Sequence, residues 1–116
     1  MTSGEILTSM ESRQWQFTVS STNDYCDIEI PPQTDVAHCL SLIVVFFTGA
    51  LTTRLGIYVK DGNKFIFKYF TNDNIVIPFS PPLKGTKGNS MLISADPSGD
   101  PNITCNVCVL GFDLYS

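Results

Sequence analysis

A chain of 116 residues, 43% hydrophobic and 16% charged, is long enough for one domain with a substantial core. At a net charge of −4 it is too apolar to be disordered. Seven basic residues against eleven acidic ones argue against a nucleic-acid surface, and the longest nearly unbroken apolar run, Cys39 to Phe47, falls far short of the roughly 20 residues of a membrane-spanning helix.

Residues 1–13 are polar apart from Ile6-Leu7 and read as a short arm, leaving 14–116 as the folded domain. From there apolar, β-branched or aromatic runs alternate with turn clusters, the rhythm of an all-β domain. Trp15, Phe17 and Val19 alternate with glutamine and threonine. Cys26, Ile28 and Ile30 alternate with Asp27 and Glu29 before Pro31-Pro32. Residues 33–38 read as a loop. Cys39 to Phe47 is apolar on both faces, as a central strand is. Leu55, Ile57 and Val59 alternate with Tyr58 and Lys60, and Asp61-Gly62-Asn63 is a tight-turn signal. The returning strand, Lys64 to Phe70, is expected to place Phe65, Phe67 and Tyr69 on one face. Ile75 to Phe79 is a short strand broken by Pro78 and ended by Pro81-Pro82. Ser90 to Ala95 and about Asn102 to Leu114 complete the set. About eight strands in this length imply an antiparallel two-sheet sandwich, jelly-roll-like.

Charge is uneven along the chain. Residues 1–53 hold one arginine and six acids, 54–87 six bases and two acids, and 88–116 three acids and no base. Solvated polar faces account for this simply; opposite patches that drive self-association are the sharper reading.

No arrangement of residues points to catalysis, and no enzyme activity, cofactor or metal is expected. His38, the one histidine, stands beside a strand entry without a nucleophile motif and reads as a loop or strand-edge residue. Cys105-Asn-Val-Cys108 has the spacing of metal and redox sites, but on a strand its thiols point to opposite faces. The N-terminal residues lack a basic start and an apolar stretch, so cytoplasmic synthesis is expected, with Cys26, Cys39, Cys105 and Cys108 reduced. Asp96 and Asp100 flank a Pro-Ser-Gly turn without the spacing of a calcium loop. Asn102-Ile103-Thr104 is a glycosylation sequon that matters only in a secreted chain. Tyr58, Tyr69, Phe70 and Tyr115 are aromatics that a sugar or protein surface could use.

The order of segments over 39–115 carries a resemblance. An apolar strand ends in Thr48-Gly49-Ala50 and leads to Leu55-Gly56-Ile57-Tyr58-Val59. Ile77-Pro78-Phe79-Ser80-Pro81-Pro82 precedes a Lys-Gly loop, then come Asn89 to Ala95 and Val107-Cys108-Val109-Leu110-Gly111-Phe112. This layout resembles the β-sandwich of capsid decoration (cement) and head-fibre proteins of tailed bacteriophages. The resemblance implies a structural protein on the outer surface of the virion, a homotrimer that binds the major capsid protein. The alternative is a carbohydrate- or receptor-binding sandwich whose partner is a glycan. Candidate partner contacts are Ile6 and Leu7 on the arm, Tyr58 and Tyr69, and Lys84 and Lys87.

Overall fold

The computed structural model describes residues 12–22 and 24–115; most of the expected arm, with Ile6 and Leu7, lies outside the described residues. These hold eight strands: β1 (Ser12–Thr22), β2 (Cys26–Ile30), β3 (Val36–Phe47), β4 (Leu55–Asp61), β5 (Lys64–Thr71), β6 (Ile75–Lys84), β7 (Met91–Ala95) and β8 (Thr104–Tyr115). No helix of the described residues is long and apolar enough to cross a membrane.

The strands form two four-stranded antiparallel sheets, β1-β8-β3-β6 and β2-β7-β4-β5. Every connection except the β4–β5 hairpin crosses between sheets, so the fold is the expected jelly-roll-like sandwich. Alternation explains the core. Cys26, Ile28 and Ile30 of β2, Leu55, Ile57 and Val59 of β4, and Met91, Ile93 and Ala95 of β7 are buried from one sheet. Leu40, Ile43 and Val45 of β3 meet them from the other, with Cys105, Val107 and Val109 of β8. Each large aliphatic side chain buried this way contributes about 1.5–3 kcal/mol.

Two irregularities change which residues face inward. Against β8 the register of β3 shifts between Leu40 and Leu42, so Ser41 is an extra residue in the strand. A one-residue shift reverses the facing of everything on one side of it. Leu40 therefore opposes Gly111 and His38 opposes Asp113 on the inner face. The second shift is in the hairpin, where Lys60 pairs with Phe65 but Val59 pairs with Phe67. Ile66 is the extra residue. Phe65 is thus placed on the outer face while Phe67 points inward, against Phe79 at 5.0 Å between ring centroids.

Three expectations from sequence change accordingly. Phe65, Phe67 and Tyr69 do not share a face, because the bulge at Ile66 breaks their period. The loop expected over 33–38 is shorter, because β3 begins at Val36 to pair with Tyr115 at the far end of β8. The strand expected to stop at Phe79 continues to Lys84. β6 is a sheet edge, where proline's missing donor is tolerated, and the pairing resumes at Leu83–Leu40 after an irregular stretch that includes a cis Ser80–Pro81 peptide.

Candidate functional site

On β4 the inward set Leu55, Ile57, Val59 leaves Tyr58 and Lys60 on the outer face of the β2-β7-β4-β5 sheet. Register then sets their neighbours. Tyr58 lies between Lys68 of β5 and Ser94 of β7, and Lys60 between Phe65 and Leu92. The Tyr58 ring folds back over Gly56, so closely that a Cβ there would collide with the ring and its hydroxyl. Asp96, just beyond β7, fixes this pose. One of its carboxylate oxygens accepts from the Gly56 backbone N–H at 3.0 Å and from the Tyr58 hydroxyl at 3.1 Å. Desolvation and the Asp96 carboxylate together push the Tyr58 hydroxyl above its ordinary pKa of 10.0, so it remains a hydrogen-bond donor at neutral pH.

Two phenylalanines stand edge-on to Tyr58: Phe65 at 5.8 Å and Phe70 at 6.1 Å between centroids. They are 46% and 48% exposed, and Tyr25 is 58% exposed. Lys60 Nζ and Lys68 Nζ lie 4.8 and 4.6 Å from the Phe65 ring centroid, a cation–π arrangement. A cleft of about 240 Å³ results, lined by Tyr25, Tyr58, Phe65 and Leu92 with Lys60, Ser94 and Asp96. Apolar rings with a few fixed polar groups are what an orienting binding site needs.

Of the expected contacts, the structure puts only Tyr58 here. Tyr69 pairs with Ile57, on the face opposite Tyr58, and at the β5 edge it borders a hollow with Arg54, Lys68 and Phe70. Lys84 and Lys87 line a different cleft, with Ala37, Leu114 and Tyr115, and Lys87 Nζ lies 3.5 Å from Asp35. Sequence reading missed Tyr25, Phe65, Lys60, Lys68 and Asp96 as site residues. The pair Gly56-x-Tyr58 was a signal for part of this, since residues two apart on a strand share a face.

His38 is not at a loop or strand edge. It lies inside β3, 2% exposed, because the extra residue at Ser41 turns it inward. Its Nδ1 is 2.5 Å from Asp113 Oδ1 and its Nε2 is 2.8 Å from the Pro31 carbonyl. Trp15 Nε1 donates to the same Asp113 oxygen at 2.9 Å. The Asp113 carboxylate thus ties β1, β3 and β8 together at one buried point.

Cys105 is buried and Cys108 half-buried, one inward and one outward along β8. Cys26 Sγ donates to the Cys105 carbonyl at 3.3 Å. Burial pushes the Cys105 thiol up to about 12 and raises Cys26 and Cys39 as well. Among the described residues no group of three His, Cys, Asp or Glu could hold a metal.

The other outer face, on β1-β8-β3-β6, is aliphatic at its centre. Leu42 pairs with Leu110, and Val44 with Cys108 and Val76; Phe46, Val76 and Leu110 are exposed.

No family model matches the sequence, and no curated protein does. Among solved structures the chain is similar to one from the disulfide-linked pili of Bacillus endospore appendages, with TM-score 0.50 and 10% identity over 90% of this chain and 88% of that one. A carbohydrate-binding module of the CBM36 type, solved with calcium and xylotriose, gives TM-score 0.39 and 12% identity over 90% and 88%. The Aeromonas hydrophila periplasmic lysozyme inhibitor PliG gives 0.39 and 8% over 89% and 87%. The likeness to the Bacillus chain is one of fold: this protein is an all-β sandwich.

Proposed function

We propose that the protein is a non-enzymatic carbohydrate-binding module that uses the outer face of the β2-β7-β4-β5 sheet. The observation that carries this reading is the Tyr58 cluster: a ring fixed by Asp96 over Gly56, flanked by Phe65 and Phe70, at the mouth of an aromatic-lined cleft. Sugars present C–H faces that pack on aromatic rings and hydroxyls that seek a few fixed polar groups. Tyr25 and Tyr58 offer the first, and Ser94 and Asp96 the second. A glycan array probed with the intact chain tests the reading. Retention of at least one oligosaccharide class, lost in a Tyr58→Ala variant that is still folded by circular dichroism, supports it; an array without hits removes it.

A second reading is favoured by a different observation. The exposed apolar strip Phe46, Val76 and Leu110 suits burial against another protein. This is the reading of a structural subunit, either a virion cement protein that trimerises on a major capsid protein or a subunit of a filament, as the similar Bacillus chain is of its pili. Light scattering on the intact chain and on Val76→Asp tests it, an assembly that the variant dissolves being the expected result.

A further inference from the structure

The carbohydrate site is unevenly charged. Asp96 sits at the Gly56 end, and two ammonium groups, Lys60 and Lys68, lie beside Phe65. Lys60 and Lys68 form no salt bridge among the described residues. Their contact is the ring face, which attracts a cation without neutralising it. The nearby hollow at the β5 edge adds Arg54 next to Lys68 and Phe70. Arg54 donates a long 3.5 Å bond to the Phe70 carbonyl. Lys60 and Lys68 thus border the Phe65 end of the aromatic surface, while Arg54 stands by Phe70 at the Gly56 end, in a protein whose net charge is −4. Local positive charge in an acidic protein selects an anion by position rather than by bulk attraction.

We infer that the ligand is an acidic glycan, a chain of pyranoses bearing carboxylates, with its carboxylate at Lys60 and Lys68 and its hydroxyls toward Ser94 and Asp96. This deepens the carbohydrate reading and rests on it. The carboxylate at Asp96 sets the direction, because it repels an anion and accepts from hydroxyls, leaving the lysine end for the sugar's charge. It also disfavours a uniform polyanion such as single-stranded nucleic acid, whose phosphates would have to pass Asp96 and the Asp27 carboxylate that holds Ser94.

The experiment uses an array of uronic-acid oligosaccharides beside their carboxyl-reduced counterparts, with single-stranded oligonucleotides as a polyanion control. Acidic members should bind, and carboxyl reduction should weaken binding about tenfold, the size expected of two partly exposed charge contacts. The double variant Lys60→Gln/Lys68→Gln should lose the tenfold preference for acidic over carboxyl-reduced members, with an unchanged melting temperature. Raising salt should reproduce the loss. Equal binding of acidic and reduced members overturns the inference and leaves the carbohydrate reading standing. Oligonucleotides bound as tightly as uronic acids overturn it in favour of a generic anion surface. No binding to any sugar removes both.

Discussion

Tyr58 and Trp15 are built alike and serve different ends. Each ring lies over a glycine, Gly56 or Gly111, that leaves no room for a Cβ. Each donates its polar atom to an aspartate, Asp96 or Asp113. Tyr58 does this on an outer face, with exposed rings around it, and its neighbours remain open to a ligand. Trp15 does it at the inner end of the sandwich, where the same aspartate also holds buried His38. Covering a strand glycine with a ring restores packing that the glycine lacks. What surrounds the ring decides whether the unit is a surface or a joint.

The comparison breaks most sharply at the joint. Asp113→Ala leaves His38 and the Trp15 indole without their common acceptor, and these unmet hydrogen bonds should cost about 2–4 kcal/mol by urea unfolding. Gly111→Val should cost about 3 kcal/mol or more, since its Cβ meets the Cys39 backbone carbonyl as well as Trp15, and backbone cannot swing aside. At Gly56→Val the nearest atoms all belong to the Tyr58 side chain, which can swing aside. The substitution should cost roughly 1–2 kcal/mol as the ring is pushed outward, while glycan retention disappears. A Gly56 variant as unstable as the Gly111 variant would show that the two units are the same kind of joint.

The alternation of β2, β4 and β7 was legible in sequence, as were the hairpin at Gly62 and the sandwich itself, because period-2 burial is written directly in residue type. The site was only partly legible. Tyr58 could be placed on an outer face from its own strand, but Phe65 depends on the extra residue at Ile66, and Asp96 reaches Gly56 across 40 positions. His38 was misplaced for the same reason, since nothing in Leu40-Ser41-Leu42 announces a bulge that turns the preceding residues over. Long-range register is a property of paired strands, and one strand's sequence does not contain it.

Smaller effects sharpen the picture. Asp61 is a third aspartate in a binding role, and it holds a loop rather than a ring. Its carboxylate accepts from the Thr86 backbone N–H and hydroxyl and from Asn89. Burial alone would raise its pKa, but these hydrogen bonds outweigh it and hold the group below its ordinary 3.8. A carboxyl with a depressed folded pKa stabilises above its unfolded value and loses that contribution as pH falls. Stability should therefore decline as pH drops through 3.8 and below, with a shallower decline in Asp61→Asn, read by thermal melts across pH 2–6. The smallest effect is at the thiols. Cys108 is half-buried while the other three are buried. Alkylation of the native protein followed by mass analysis should modify Cys108 first and the remaining three only in denaturant.

The place of β8 bears on how the protein is made. It lies between β1 and β3 and supplies every pairing of its sheet except β3–β6. During synthesis β1 emerges early and then waits, its Trp15 and Val19 without a partner, until the last strand of the sandwich has left the ribosome. The β1–β8–β3 part of the sheet closes from its middle, through contacts between the most distant parts of the domain, an arrangement that folds slowly and leaves nascent strand edges open to other chains. Expression yield should therefore respond to chaperone supply and to growth temperature more strongly than the stability of the finished protein would suggest.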